Sequence, residues 1–120
     1  MSDASAFRRL SASAGIDLPI FLFAISPSGS PETVYSRMFA PEFGIVEDPA
    51  TGGASGPLGC YLVRHRLVSG DAARRIISLQ GVAMGRPSRI HISIGERAGE
   101  IVEVKVGGTA VLVGRGEILA

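Results

Sequence analysis

The chain of 120 residues has no tryptophan, two tyrosines, a single cysteine and a formal net charge of only +1. Each scarcity excludes something. With Cys60 alone, no disulfide can close within the chain and no thiolate cluster can hold a metal, which suits a reducing compartment, the cytoplasm. A nucleic-acid-binding domain of this size carries a basic face with stacking aromatics. Here aromatics make up 6% of residues and the densest basic group, Arg64, Arg66, Arg74 and Arg75, flanks a turn rather than forming a stripe, so no nucleic-acid partner is expected. The longest apolar run, Ile20 to Ile25, is far short of the ~20 residues a spanning helix needs. Neither a membrane span nor a secretory leader is expected.

What is present suits one globular domain over residues 1–120: 46% hydrophobic and 19% charged residues are ordinary proportions for a single core. Residues 4–14 favour helix, with Gly15 as the stop. Ile20 to Ile25, between Pro19 and Pro27, reads as a buried strand, and Thr33 to Phe39 as a second one after the turn at 28–31. Alternation there puts Val34, Ser36 and Met38 on one face and Thr33, Tyr35, Arg37 and Phe39 on the other. A loop from Ala40 to about Gly53 leads into the most apolar helix, about Ala54 to Arg66. Four further strands follow: Ile76 to Met84, Arg89 to Ile94, Ile101 to Val106 and Thr109 to Val113, separated by glycine or proline turns. The expected class is α+β, a mostly antiparallel curved sheet wrapped around a central helix.

The chemistry concentrates in residues 44–58, GIVEDPATGGASGPL, where two adjacent carboxylates precede a small-residue turn into that helix. Small side chains from Ala50 to Gly56 let a ligand approach the backbone. The unpaired N–H groups at the helix start favour an anion, a carboxylate or a phosphate. Glu47 or Asp48 beside such a site can act as general acid or base. An acidic pair before a helix is equally consistent with simple dipole stabilisation. His65 and His91 are expected at the surface and no metal site is expected; Cys60 reads as a packed, inert thiol. Gly81 and Gly85 mark strand bends, with ligand contact the alternative role.

Three ordered motifs carry a family resemblance across about residues 18 to 116. RMFAPEFGI followed by EDPATGGASGPLG resembles the EDPATGSA-type signature of the phenazine-biosynthesis PhzC/PhzF-like proteins. Gln80 to Ser88, QGVAMGRPS, resembles their QG…GRPS element, and Val106 to Val113 resembles their closing GG.A..V strand pair. The resemblance implies one half, the C-terminal one, of a diaminopimelate epimerase-like fold, in which two halves face each other across a cleft. It implies a biosynthetic isomerase that transfers a proton on a small carboxylate-bearing substrate without a cofactor. It also implies catalytic Asp48 with Glu47, and substrate binding by Thr51, Gly52, Gly53, Ala54 and Gly81. Gly53 stands where the signature usually has serine, and the family's principal catalytic glutamate belongs to the other half. Activity therefore requires a second half, supplied by a homodimer or by a separate N-terminal-half partner. The alternative is a non-catalytic anion-binding or remnant domain.

Overall fold

The computed structural model describes residues 4–15 and 19–118. Helix α1 (Ala4–Ala14) ends at Gly15, whose φ of +65° is the left-handed conformation that suits glycine at a helix end. Strand β1 (Ile20–Ile25) pairs antiparallel with β2 (Val34–Ala40), and a short 3-10 turn (Pro41–Phe43) leads into β3 (Ile45–Asp48). Helix α2 (Gly52–Arg64) follows, then a 3-10 turn (Gly70–Arg74) and β4 (Ile76–Gln80). A third 3-10 turn (Val82–Met84) precedes the long hairpin of β5 (Ser88–Arg97) and β6 (Glu100–Gly107). Among the described residues no helix is long and apolar enough to cross a membrane.

The strands join in one sheet, ordered β1-β2-β4-β5-β6, with β3 also paired to β2. All pairings are antiparallel except β2 with β4. Parallel neighbours need a crossover, and here β3 and α2 supply it, which carries α2 onto one face of the sheet. The class is α+β, a curved sheet around a central helix, as its alternation and apolar helix suggested.

Period-2 burial puts Val34 and Ser36 of β2, Ile76, Ser78 and Gln80 of β4, and Ile90, Ile92 and Ile94 of β5 on the buried side of the sheet. Leu58, Leu62 and Val63 of α2 meet the isoleucines, with Val68 and Ala73 closing the cluster. Glycines let the helix lie close to the sheet: a Cβ at Gly59 would lie 2.5 Å from Ile92 Cγ2 and 2.9 Å from Ile94 Cδ1. One buried polar pair sits in this layer, with the Ser36 and Ser78 hydroxyls 2.7 Å apart across the parallel junction.

Several expectations are corrected. Strand β1 is not buried: Leu22 and Ile25 are about half exposed, because β1 is the end of the sheet and only its other edge is paired. The 40–53 segment is not all loop, since β3 pairs there with Met38 and Ala40 of β2. A register shift between Met38 and Ala40 breaks the alternation, so that Phe39 is buried; its ring stacks on Phe7 of α1 at 4.8 Å between centroids. The strand expected to reach Met84 stops at Gln80, where Gly81 turns into the left-handed region at φ +77°. Residues 109–113 form no strand, for among the described residues no strand pairs with them. Helix α2 ends at Arg64, so Leu67 lies beyond it and is exposed, and within the helix Tyr61 is also exposed, an apolar position that the sheet does not cover.

Core packing predicts a sharp contrast between two leucines. Leu62→Ala, at a fully buried site, should cost about 2–5 kcal/mol in urea-unfolding stability. Leu67→Ala, at a half-exposed site, should cost less than about 1 kcal/mol.

Candidate functional site

The site is built at a fork in β2. The first half of its edge, Val34 to Ser36, pairs with β4, and the second half, from Met38, pairs with β3. Ser36 registers with Gln80 and Met38 with Asp48, so the ends of β3 and β4 arrive side by side. The loop between Asp48 and α2 passes directly over the side chain of Gln80.

Gln80 is fully buried, and both ends of its amide are hydrogen-bonded. Nε2 donates to the Asp48 carbonyl at 2.8 Å and to Thr51 Oγ1 at 2.8 Å, while Oε1 accepts the Thr51 N–H at 3.2 Å. A backbone N–H can only donate and a carbonyl can only accept, so these partners fix the orientation of the amide. Thr51 Oγ1 accepts from Gln80 and therefore directs its own proton to Asp48 Oδ2, 2.6 Å away. That length is typical of a hydroxyl donating to a carboxylate. The half-buried Asp48 side chain is thus held by a relay running Gln80, Thr51, Asp48, and its other oxygen has no hydrogen-bond partner among the described residues.

The start of α2 lies immediately beyond. Thr51 is the N-cap residue but makes no side-chain cap hydrogen bond, because its hydroxyl is committed to Asp48 and Gln80. Gly52 and Gly53 are exposed, with nothing within 4 Å of where a side chain would begin. The N–H groups of Gly52, Gly53 and Ala54 thus open the helix without a capping side chain, next to Asp48, on a backbone that a ligand can approach closely.

Glu47 has a different environment from its neighbour. Both its oxygens are taken by Arg37, with Nε and Nη2 each 2.9 Å away, and the Arg37 guanidinium also lies 4.8 Å over the Phe39 ring. These hydrogen bonds, more than the attraction between the charges, hold the Glu47 carboxyl below its usual range against the opposing effect of burial. The same contacts raise the Arg37 value. A groove of about 640 Å³ runs beside this pair, lined by Gly44, Ile45, Val46, Ala83 and Met84 as well as the pair itself. Gly81 packs against the loop instead of opening to it: a Cβ there would come 2.8 Å from the Pro49 carbonyl oxygen. Its positive φ and this contact make it the residue that lets the Asp48–Thr51 loop lie against the turn after β4.

The structure therefore brings Asp48, Thr51, Gly52, Gly53 and Ala54 to one place, with Gly81 behind them and Glu47 turned aside to Arg37. The sequence reading gave no role to Gln80 or Arg37. A glutamine at the inward position of an otherwise Ile-Ser alternation was the available signal, since a buried amide must find partners. His65 and His91 are exposed, and Cys60 is half-buried against the core. Among the described residues no three His, Cys, Asp or Glu side chains come together as a metal site would require.

A family profile described as phenazine biosynthesis-like protein, PhzC-PhzF, matches residues 12–116. A protein of Clostridium acetobutylicum named as an uncharacterised isomerase is 42% identical over 100 residues, covering 82% of this chain and 33% of that protein. The trans-2,3-dihydro-3-hydroxyanthranilate isomerase of Pseudomonas chlororaphis is 45% identical over 84 residues, covering 70% of this chain and 30% of the enzyme. The chain thus spans about a third of the length of these relatives. Among solved structures, a PhzF-family phenazine biosynthesis protein of Bacillus anthracis superposes with a TM-score of 0.54 at 21% identity, covering 79% of this chain and 36% of the other. That likeness concerns the fold.

Two outcomes test the site's construction. Gly81→Ala should destabilise the fold by at least about 1–3 kcal/mol, the cost of the strained backbone, to which the contact of the new Cβ with the Pro49 carbonyl adds, and the nuclear magnetic resonance shifts of Pro49 to Thr51 should move with it. The depressed Glu47 carboxyl contributes stability that is complete above the unfolded carboxylate value, about pH 4.3, and is lost as pH falls through the lower folded value. Arg37→Met should cost about 1–3 kcal/mol at neutral pH, and should flatten the loss of stability below about pH 4.3 in urea titrations.

Proposed function

Because the chain belongs to the PhzC/PhzF phenazine biosynthesis-like family, we propose that it supplies one half of an isomerase active site, moving a proton on a small carboxylate-bearing substrate without a cofactor. The observation that carries this reading is the adjacency of an Asp48 carboxylate, with one oxygen held and one without a partner among the described residues, to the uncapped start of α2. In the proposed arrangement the N–H groups of Gly52, Gly53 and Ala54 hold the substrate carboxylate. Asp48 then lies within reach of the carbon next to it, where it takes up a proton or returns one. The Thr51 hydroxyl keeps the carboxylate oriented, and Gln80 keeps Thr51 oriented. Glu47, with both oxygens on Arg37, serves the loop rather than the proton.

An isomerisation needs a proton removed at one atom and delivered at another, and a wall opposite Asp48 that excludes water. In this reading the opposing wall is a second half, either another copy of the chain or a separately encoded N-terminal-half polypeptide. The expected setting is cytoplasmic biosynthesis, phenazine formation being the process in which the named relatives' family takes its name. A non-catalytic anion-binding domain is the alternative, and it keeps the helix-start contact while losing proton exchange.

The two readings separate in heavy water. Incubated alone and with the N-terminal half of a relative, the chain should place solvent deuterium on a carbon of trans-2,3-dihydro-3-hydroxyanthranilate or of a related cyclic hydroxy-amino acid. Asp48→Asn should reduce that exchange by about 100-fold or more, the scale of general acid–base catalysis. Carboxylate binding with no exchange in either mixture would favour the non-catalytic domain, and full exchange by Asp48→Asn would remove Asp48 from the mechanism.

A further inference from the structure

The curved sheet has two ends, and they differ in a way that determines what can join them. Strand β6 alternates Glu100, Val102, Val104 and Val106 with Ile101, Glu103 and Lys105, and Glu103 is paired with Lys105 at 2.8 Å and with Arg74 at 3.9 Å. Charges of this kind protect an edge against further pairing. Strand β1, Ile-Phe-Leu-Phe-Ala-Ile, has no charge, no proline and no bulge, and among the described residues nothing pairs with its outer edge. Leu22 is 52% exposed, Phe23 37% and Ile25 50%. Phe23 meets Tyr61 of α2 edge-on at 5.6 Å, so the uncovered side of the helix continues the apolar surface of β1. A flat, uncharged edge six residues long is a template for one more strand.

The same chain carries a segment of the matching kind. Residues 109–113, Thr-Ala-Val-Leu-Val, have strand composition and a length close to that of β1, yet they run from Gly108 with no regular partner. Val111 is 84% exposed, Leu112 70% and Val113 96%. Three neighbouring apolar side chains held in water, on backbone with no ladder, mark a segment that is completed elsewhere. Its own β6 edge, which the Gly107–Gly108 corner could bring it back to, is the charged one.

We propose that residues 109–113 are a donated strand, which adds to the outer edge of β1 in a second copy of this chain and receives the reciprocal strand in return. Such an exchange makes an isologous pair, the same two surfaces being used on both copies. The added strand hydrogen-bonds along Ile20 to Ile25. It lays one row of its side chains over Phe23, Ile25 and Tyr61, extending the buried layer around α2. The inference stands on edge chemistry and needs no catalytic step, so it holds whether or not Asp48 moves a proton.

The test uses the full chain and two substitutions at sites that the isolated protomer leaves exposed, Val111→Asp combined with Val113→Asp. Light scattering on a sizing column should give the mass of two chains for the unaltered protein and of one chain for the variant, with the same far-ultraviolet circular dichroism. Amide hydrogen exchange should show residues 109–113 and Ile20 to Ile25 protected in the dimer, with both losing protection together in the variant. An unaltered protein that is monomeric at high concentration would overturn the proposal. So would a dimer that survives both aspartates, or protection of 109–113 in a monomer, which would place the strand on its own β6.

Discussion

Everything distinctive about this molecule depends on the side chain of Gln80. It is buried at the end of a central strand, where each amide group left without a partner would cost about twice what an ordinary hydrogen bond contributes. Among the described residues, the groups that satisfy it belong to the Asp48–Thr51 loop, and it binds that loop through three contacts at once. The need to pair a buried amide thus anchors a loop that is otherwise a run of small residues. Thr51, taken up by Gln80 and Asp48, cannot cap its own helix, and the uncapped helix start follows from that. A structural necessity in the core and an open, uncapped helix start at the surface are two ends of one hydrogen-bonded chain.

The fork in β2 explains why this arrangement requires the fold. A parallel β2–β4 pair demands a crossover, and the crossover delivers both β3 and α2 to the same end of the sheet. The carboxylate comes from β3, the backbone donors from α2 just after it and the amide from β4, about thirty residues further along the chain, so three elements meet at one β2 edge. The Arg37–Glu47 pair locks β3 to β2 just before the site, and Gly81 lets the turn after β4 close from behind. The result is a one-sided site. It places a half-buried carboxylate beside the uncapped start of a helix, and the opposite wall of a cleft is not among the described residues, in keeping with a chain that spans about a third of its relatives.

Much of this was legible in the amino acids, for identifiable reasons. The alternation of Ile90, Ile92 and Ile94 and the glycine stop at Gly15 are local signals, and both gave the elements they implied. The small-residue turn at 51–54 opened a helix because backbone freedom and a following apolar stretch both act locally; α2 begins two residues earlier than expected, at Gly52. What escaped was set by distant partners. Strand β3 is four residues with two charges, and only pairing with β2 makes it a strand. Phe39 is buried by a register shift and by Phe7, neither visible in a period-2 pattern. Thr109 to Val113 has every local property of a strand and forms none in the single chain, because a strand is defined by its neighbour. Gln80 was noticed as part of a motif, but its function lies in which backbone groups come within reach.

Gln80 holds the Asp48–Thr51 loop in place against the end of β4. The most direct measurement is amide hydrogen exchange of Thr51, whose N–H is bonded to Gln80 Oε1, compared between the unaltered chain and Gln80→Leu. Thr51 and the amides that open α2 should exchange much faster in the variant while Ile90 and Ile92 keep their protection. Unchanged protection at Thr51 with Gln80 replaced would contradict the account.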